Sequence, residues 1–301
     1  MPIGGCVAQF DGSNDYVYIA PNAFLQFAGN SALTVELWIN PAGGTVDLYS
    51  SYVFGAGQFG TAASVDAAGR LSFTLESYGV VSDVQTSVGT VPFGQWTHVA
   101  FVTDGVGTSS IYINGALDST SPIAAGVLTA TAAPTPYWYL GINPTPMNWY
   151  QGGLDEVRIW SAALTQPAIQ SNQFASLVGN EANLLAYYRL DEGAGTTAVN
   201  SATASGASLD AWLQNGVSYQ QHILTSIAED TANPAGDTVG AILPNDWISD
   251  IDGAPAKAIA VTAVDNAHGT WQYWTGGAWS AVDDGGGVNN GRALLLDSVD
   301  L

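Results

Sequence analysis

Hydrophobic and polar residues alternate over short stretches of the chain, as they do in β-strands. In the stretch 33–39, every odd-numbered residue is aliphatic, whereas the even-numbered residues are Thr34, Glu36 and Trp38. Successive side chains of a strand point to opposite sides of the sheet, so a period of two separates them into two faces. The stretch therefore predicts a strand with one buried face and one face exposed to solvent.

Ten further stretches are rich in β-branched and aromatic residues, which favours strands. They are 6–10, 16–19, 49–54, 64–65, 70–76, 96–103, 109–113, 137–142, 153–161 and 184–190. Asn114 and Gly115 predict a tight hairpin, because both residues tolerate a positive φ. The best helical pattern covers 165–177, where Thr165 can cap and Pro167 suits a first turn. The chain is therefore predicted to be all-β with one short helix.

The composition of the chain changes after residue 222. From residue 223 onward, acidic and turn-forming residues dominate, as in AEDTANPAGDT and VDDGGGVNNG. A chain of 301 residues is long enough for two domains. We expect one domain over 1–222 and a second, smaller domain over 223–301.

The charge of the chain limits the partners that it can bind. Five Lys and Arg residues stand against 26 Asp and Glu residues, which gives a formal net charge of −21. Nucleic acids and anionic membrane surfaces both require clustered cations, so neither is expected as a partner. No apolar run is long enough for membrane insertion. Calcium is compatible with this composition, because it prefers carboxylate and carbonyl oxygens.

The sequence offers little support for catalysis. Asp155 and Glu156 are consecutive, so in a regular strand they point to opposite faces and cannot act as a glycosidase pair. No nucleophile or phosphate-binding motif is present. His98 alternates with apolar neighbours, which indicates a structural histidine rather than a base. We expect a protein that is not an enzyme.

One turn near the start of the chain carries several oxygen ligands. Asp11, Asn14 and Asp15 lie within the segment FDGSNDYVYI. Clustered carboxylate and amide oxygens suit a calcium ion. The same residues can also stabilise a turn through bonds from their side chains to the backbone, and the motif alone leaves both readings open.

Six segments together resemble a known family. In chain order they are FDGSNDYV, TVELWINP, GQWTHVAFV, SIYINGAL, GGLDEVRIWSAALT and LLAYYRLDEGAGTTAVNS. This order is similar to that of the LamG-like jelly-roll family, with the concanavalin A-like lectin and glucanase fold, over about 6–220. The resemblance implies an antiparallel jelly-roll β-sandwich with a cation between the first turn and the LDEVRIW strand. Asp11 and Asp155 would then be metal ligands, with Asn14, Asp15 or Glu156 as further candidates; the alternative is a partly exposed Asp155 beside Arg158.

Aromatic and amide residues gather between residues 134 and 153. The candidate ligand-binding residues there are Trp138, Asn143, Asn148, Trp149 and Tyr150. Sugars stack on aromatic rings and bind amides through their hydroxyl groups. The alternative is that these aromatic side chains fill the core.

The C-terminal segment has its own acidic clusters. They contain Glu229, Asp230, Asp250, Asp252 and Asp265. This segment resembles the cadherin-like or immunoglobulin-like repeats of large bacterial RTX-type adhesins, in which calcium stiffens the joints. The alternative is ordinary acidic loops on a β-sandwich-like domain.

Together these features predict a calcium-dependent adhesion module of a secreted bacterial surface protein, extracellular, that binds a cell-surface glycan or peptide. A different hypothesis is a structural subunit of an extracellular filament. Such a subunit would self-associate through its edge strands by β-strand addition.

Overall fold

A computed structural model describes residues 6–27, 31–53, 57–77, 80–123, 135–144, 147–203 and 209–221, and the short stretches 258–261, 272–274, 279–281 and 294–297. The chain divides into two compact units, Met1–Gln221 and His222–Leu301. The strands of the first unit are β1 Cys6–Asp11, β2 Tyr16–Ile19, β3 Leu33–Pro41, β4 Val46–Val53, β5 Gly57–Val65, β6 Arg70–Ser77, β7 Val80–Thr90, β8 Thr97–Thr103, β9 Thr108–Ile113, β10 Ala116–Pro122, β11 Tyr137–Leu140, β12 Gln151–Trp160, β13 Leu184–Tyr188, β14 Thr197–Ala198, β15 Ala211–Gln214 and β16 Ser218–Gln221. Its described helices are a short 3-10 helix, Ala23–Leu25, and the α-helix α1, Gln166–Gln173.

The strands form two eight-stranded sheets in which neighbouring strands are antiparallel. Sheet A has the order β10-β9-β8-β3-β12-β1-β16, and β13 also pairs with β12. Sheet B has the order β14-β15-β2-β11-β4-β5-β6-β7. Strands that are distant in the sequence lie side by side, as β3 does between β8 and β12. The predicted all-β jelly-roll sandwich is confirmed.

The core lies between the inner faces of the two sheets. The alternating residues Val35 and Leu37 of β3 contribute to it from sheet A. From sheet B, the ring of Trp138 stacks on Tyr49, with centroids 5.9 Å apart. Burial of these apolar side chains is the main favourable term that holds the two sheets together.

The outer face of sheet A is also buried along β3 and β8, which differs from the sequence-based expectation for β3. Helix α1 packs Ile169 against the β8 residues Ala100 and Val102. At the end of this helix, the indole Nε1 of Trp38 donates to the carbonyl of Gln173 at 3.1 Å. The expectation of an exposed face on β3 was wrong, because an element more than a hundred residues away in sequence covers it.

A β-bulge interrupts strand β12 where its acidic residues lie. Asp155 pairs with Trp38 and Arg158 pairs with Glu36, so three steps along β12 match two steps along β3. Glu156 sits in the bulge with a φ of 52°. A bulge adds one residue and changes where the side chains point, so the simple rule of opposite faces does not hold here.

Four short strands are described in the second unit. They are β17 Ala258–Val261, β18 Gln272–Trp274, β19 Trp279–Ala281 and β20 Leu294–Asp297. β17 pairs with β20, and β18 pairs with β19, both antiparallel. The predicted calcium ligands Glu229, Asp230, Asp250, Asp252 and Asp265 lie outside the described residues.

Candidate functional site

The outer face of sheet B carries a continuous group of aromatic rings, which we call the aromatic face. Strands β15, β2 and β11 lie side by side there. The members of the face are Tyr16, Tyr18, Tyr137, Tyr139, Trp149 and Trp212.

Each ring of the aromatic face touches at least one other ring. Tyr18 lies 5.4 Å from Trp212 on one side and 6.3 Å from Tyr139 on the other, measured between ring centroids. Tyr16 lies 5.9 Å from Tyr139 and 6.2 Å from Trp149. These spacings are within the range of favourable aromatic contacts, so the rings support one another as a single surface.

The alternation of two short strands produces this surface. In β2 the residues Val17 and Ile19 are buried in the core, so the intervening Tyr18 points outward. In β11 the residues Trp138 and Leu140 are buried in the same way, which leaves Tyr139 on the outer side. Period-two alternation in YVYI and YWYL is therefore the sequence signal for the aromatic face.

The exposure of the rings differs across the face. Trp212, at one end, is 40% exposed, whereas Tyr139, surrounded by other tyrosines, is only 7% exposed. Tyr16, Tyr18 and Trp149 are partly exposed. The surface therefore offers accessible ring area around a firmly packed centre.

A buried aspartate holds the loop that carries Trp149. The backbone N–H of Asp47 donates to the carbonyl of Asn148 at 3.3 Å. Burial raises the pKa of Asp47 to about 7, although hydrogen bonds from the backbone of Asn148 and Asn143 favour its charged form. Asp47 thus links strand β4 to the loop and positions the indole of Trp149 beside Tyr16.

The residues predicted to bind a ligand are only partly brought together. Trp138 is buried, and its indole Nε1 donates to the carbonyl of Leu25 at 3.0 Å. Tyr150 is buried, and its hydroxyl donates to the carbonyl of Gly153 at 2.9 Å. Both belong to the core, so their assignment to a ligand surface was wrong.

The other three residues of that prediction occupy different positions. Asn143 is buried, Asn148 is half-buried, and Trp149 lies on the aromatic face. Sequence reasoning missed Tyr16, Tyr18, Tyr137, Tyr139 and Trp212.

The acidic residues of β12 belong to a second, buried polar cluster. Glu156 accepts hydrogen bonds from Arg158 and from the hydroxyl of Tyr187, the latter at 2.7 Å. The Arg158 guanidinium lies over the ring of Tyr187 at 5.1 Å and 3.7 Å from Glu36. Arg158 also donates to the carbonyl of Asn172 at 2.7 Å. This cluster ties helix α1 to sheet A, which is a structural role.

His98 lies at the edge of the same cluster. Its Nε2 atom is 3.9 Å from a carboxylate oxygen of Glu36. Burial and the nearby positive charge of Arg158 lower the pKa of His98 to about 3. The imidazole is therefore neutral at physiological pH, which agrees with the predicted structural role.

Asp155 is the least compensated group of this region. It is fully buried, and neither carboxylate oxygen accepts a hydrogen bond of normal geometry from a described residue. Burial and the neighbouring carboxylates of Glu156 and Asp191 raise its pKa well above the ordinary value, and the adjacent backbone N–H and Arg158 offset this only in part. The charge of an orphaned buried carboxylate can be compensated by a proton or by a bound cation.

The predicted pair of Asp11 and Asp155 is not brought to one point. Strands β1 and β12 do pair, as expected, but Asp11 stands opposite Gln151. Asp155 is four residues further along β12, about 13 Å away at about 3.3 Å per residue. No group of three or more His, Cys, Asp or Glu residues within the described ranges has the geometry to hold a metal ion.

The first turn mainly satisfies its own backbone. Asp11 accepts a hydrogen bond from the N–H of Ser13 at 2.7 Å, and Asp15 accepts one from the N–H of Asp11 at 2.9 Å. The carbonyl of Asn14 accepts a hydrogen bond from Asn215 at 3.0 Å. The other oxygen of Asp15 is buried without a partner, and burial raises the pKa of this carboxyl.

None of the helices in the described residues is long and apolar enough to cross a membrane.

Comparison with known proteins shows a family to which the sequence is similar and solved structures with a similar fold. The Laminin_G_3 family, described as concanavalin A-like lectin/glucanases superfamily, matches residues 11–170. Among solved structures, a protein of Bacteroides ovatus ATCC 8483 for which carbohydrate binding has been proposed is 19% identical, with a TM-score of 0.53 over 72% of this chain and 60% of that one. The chain thus spans less than two thirds of that protein's length.

Two further similar structures have lower scores. The heptameric SAP-like pentraxin of Limulus polyphemus is 19% identical, with a TM-score of 0.44 over 56% of this chain and 82% of the pentraxin. The receptor binding domain of botulinum neurotoxin C/D mosaic serotype is 16% identical, with a TM-score of 0.40 over 54% of this chain and 41% of the toxin domain. No curated protein matches the sequence.

Proposed function

The chain belongs to the Laminin_G_3 family of the concanavalin A-like lectin/glucanases superfamily, and from this premise we propose that it is a non-enzymatic carbohydrate-binding module whose ligand stacks on the aromatic face. The observation that carries the proposal is the set of contacting rings on β15, β2 and β11. Trp212, the most exposed of them, lies on the solvent side of an otherwise well-packed sheet.

The chemistry of this surface suits a sugar. One face of a pyranose ring presents C–H groups that pack on an aromatic ring, while its hydroxyl groups reach polar neighbours. Burying roughly 50–80 Å² of apolar area at about 25 cal/mol per Å² contributes about 1–2 kcal/mol for each stacked ring. Rings that already pack against one another lose little conformational entropy on binding, so more of this contribution appears as affinity.

The position of the acidic residues favours binding over hydrolysis. Glu156 is hydrogen-bonded to Arg158 and Tyr187 beneath helix α1, and Asp155 is fully buried on the same outer side of sheet A. A glycosidase needs its two carboxyl groups on either side of the scissile bond. Buried carboxylates, one of them bonded to Arg158 and Tyr187, do not meet this requirement.

Calcium is part of the proposal as a stabilising ligand. Asp155 would provide oxygen ligands, with Asp191 as the neighbouring carboxylate that affects its pKa. A bound divalent cation would compensate the buried charge of Asp155, which nothing in its described surroundings fully does. Asp11, Asn14 and Asp15 remain a separate candidate group in the first turn.

We further propose that the module acts outside the cell, as part of a secreted bacterial surface protein. The proposal includes a second unit that is a cadherin-like or immunoglobulin-like domain and binds calcium through its acidic residues. Carbohydrates of a cell surface are the partners that an extracellular lectin-like module would meet.

The test is a glycan array probed with the wild-type protein and with Trp212→Ala. Phe174→Ala is the matched control, because Phe174 is 63% exposed but packs against Trp38 on sheet A. We expect Trp212→Ala to weaken binding about tenfold, as loss of about 1.4 kcal/mol predicts, and the control to bind normally. Equal binding by all three proteins would refute the proposed face. Wild-type filaments that are lost in Trp212→Ala, without any glycan binding, would favour the structural-subunit hypothesis instead.

A further inference from the structure

We infer that the ligand of the aromatic face is an uncharged polysaccharide chain, several consecutive sugars of which contact the face at once, rather than a terminal or acidic sugar. This inference rests on the proposed carbohydrate-binding function and specifies the class of ligand. It follows from the shape of the face, from the charges around it and from the polar groups that it offers.

The aromatic face is a broad surface spread over three neighbouring strands. The register places Trp212 opposite Tyr18, and Tyr18 opposite Tyr139, so one row of rings crosses β15, β2 and β11. Tyr139 is itself buried, so the accessible ring area of this row belongs to Trp212 and Tyr18. Strands lie about 4.8 Å apart, so this row extends over about 10 Å between its outer backbones.

Tyr16 continues the surface from this row towards Trp149, 6.2 Å away between centroids. A single sugar covers about one ring and would leave most of this surface unused. An extended chain can contact several rings at once, and each contact adds to the affinity.

The charges around the face are negative. Asp15 directly precedes Tyr16, and Asp210 lies two residues before Trp212. With a net charge of −21, the whole chain also repels polyanions. An acidic polysaccharide would therefore approach a surface of its own sign.

The arginines that the structure describes are occupied elsewhere. Arg70 pairs with Asp66 at 2.8 Å, and Arg158 is buried beneath helix α1. Arg189 donates to the carbonyl of Leu177 at 2.6 Å and lies over the ring of Tyr187. Recognition of carboxylate or sulfate groups relies on arginine or lysine, so the described part of the chain favours a ligand that carries hydroxyl groups only.

The polar groups of the face fit such a ligand. Tyr16 and Tyr18 carry hydroxyl groups that both donate and accept hydrogen bonds, and the indole N–H of Trp212 donates. Gln214, paired with Tyr16 at the side of the face, adds an amide. These groups are spread over neighbouring strands, so they can meet the hydroxyls of successive sugars along a chain.

The experiment measures retardation of the full chain in native gels that contain a soluble polysaccharide. The neutral probes are hydroxyethyl cellulose, laminarin, galactomannan and soluble starch; the acidic probes are alginate, hyaluronan and polysialic acid. We expect retardation by at least one neutral polymer, no retardation by the acidic ones, and little change when the salt concentration is raised.

A length series and two variants complete the test. For the polymer that binds, the affinity should rise at least about tenfold from the monosaccharide to the hexasaccharide, because added rings make added contacts. Trp212→Ala and Trp149→Ala should each weaken binding to the polymer, while Phe174→Ala should not. Circular dichroism would check that the variants are folded.

Two results would overturn the inference but keep the proposed function. They are binding of an acidic polymer that depends on Trp212, and a monosaccharide that binds as tightly as the hexasaccharide. Absence of any binding that depends on Trp212, to every polymer and in the glycan array, would instead reject the proposed function itself.

Discussion

The titration of Asp47 gives a quantitative test of how the loop behind the aromatic face is held. Burial raises the pKa of this carboxyl from 3.8 to about 7. A carboxyl whose pKa is higher in the folded state contributes stability that is present in full below the pKa of the unfolded state. That contribution is lost as the pH rises through the folded pKa. The wild-type protein should therefore lose stability from this group between about pH 4 and about pH 7.

The substitution Asp47→Asn removes the titration and keeps a carbonyl oxygen that can accept the hydrogen bonds from Asn148 and Asn143. Each pH unit in this window corresponds to about 1.4 kcal/mol for one fully shifted group. Relative to the wild type, the variant should gain about 2–3 kcal/mol of unfolding free energy between about pH 5 and about pH 8. Urea denaturation at several pH values, followed by tryptophan fluorescence, measures this difference.

Asp104→Asn is the matched control with the opposite sign. Burial alone would raise the pKa of Asp104, but hydrogen bonds from the backbone N–H groups of Thr108, Val106 and Gly107 outweigh it and hold the pKa at about 2. This variant should lose stability by an amount that does not change between about pH 5 and about pH 8. If the Asp47→Asn difference is equally flat over this range, Asp47 is ionised throughout and water reaches it, contrary to the reasoning.

Three further predictions concern the core, the cation and the domain boundary. Trp138→Ala should lower the unfolding free energy by about 3–5 kcal/mol because it leaves a cavity in the core. Trp212→Ala should change the unfolding free energy by no more than about 0.5 kcal/mol. Equal losses in urea denaturation would contradict the placement of Trp138 in the core and Trp212 on the surface. Calcium should raise the melting temperature, because a hundredfold excess over Kd stabilises the folded state by about 2.7 kcal/mol. The melting temperature of Asp155→Asn should rise less when calcium is added. A melting curve of the wild type that EDTA does not change would exclude the cation. Limited proteolysis should leave a resistant fragment that covers most of 1–221, whereas a single indivisible fragment of the whole chain would argue against separate domains.

The sequence alone predicted the elements whose signals are local. Alternation over 33–39 located strand β3, and Thr165 with Pro167 located helix α1, which is shorter than the predicted 165–177. Asn114 and Gly115 adopt positive φ values of 50° and 73° between β9 and β10, as the hairpin signal required. Such features depend on a few neighbouring residues, so they can be recognised without knowledge of the fold.

Only the tertiary structure decided that the outer side of β3 is buried. Alternation separates the two faces of β3, but it does not reveal which of them a later element will cover. Here helix α1 packs over Glu36 and Trp38, and the carbonyl of Gln173 accepts the indole N–H of Trp38. The bulge at Glu156 then aligns Arg158 with Glu36, a pairing that regular strand geometry does not predict.

The aromatic face shows the same division between local and long-range information. The sequence by itself determined that Tyr16 and Tyr18 share one side of their strand, as do Tyr137 and Tyr139, because alternate side chains of a strand point the same way. Only the order of strands in sheet B placed these two pairs side by side and brought Trp212 against Tyr18, across nearly two hundred residues of sequence. Strand order depends on how the whole chain packs its apolar surface, so no single segment encodes the site.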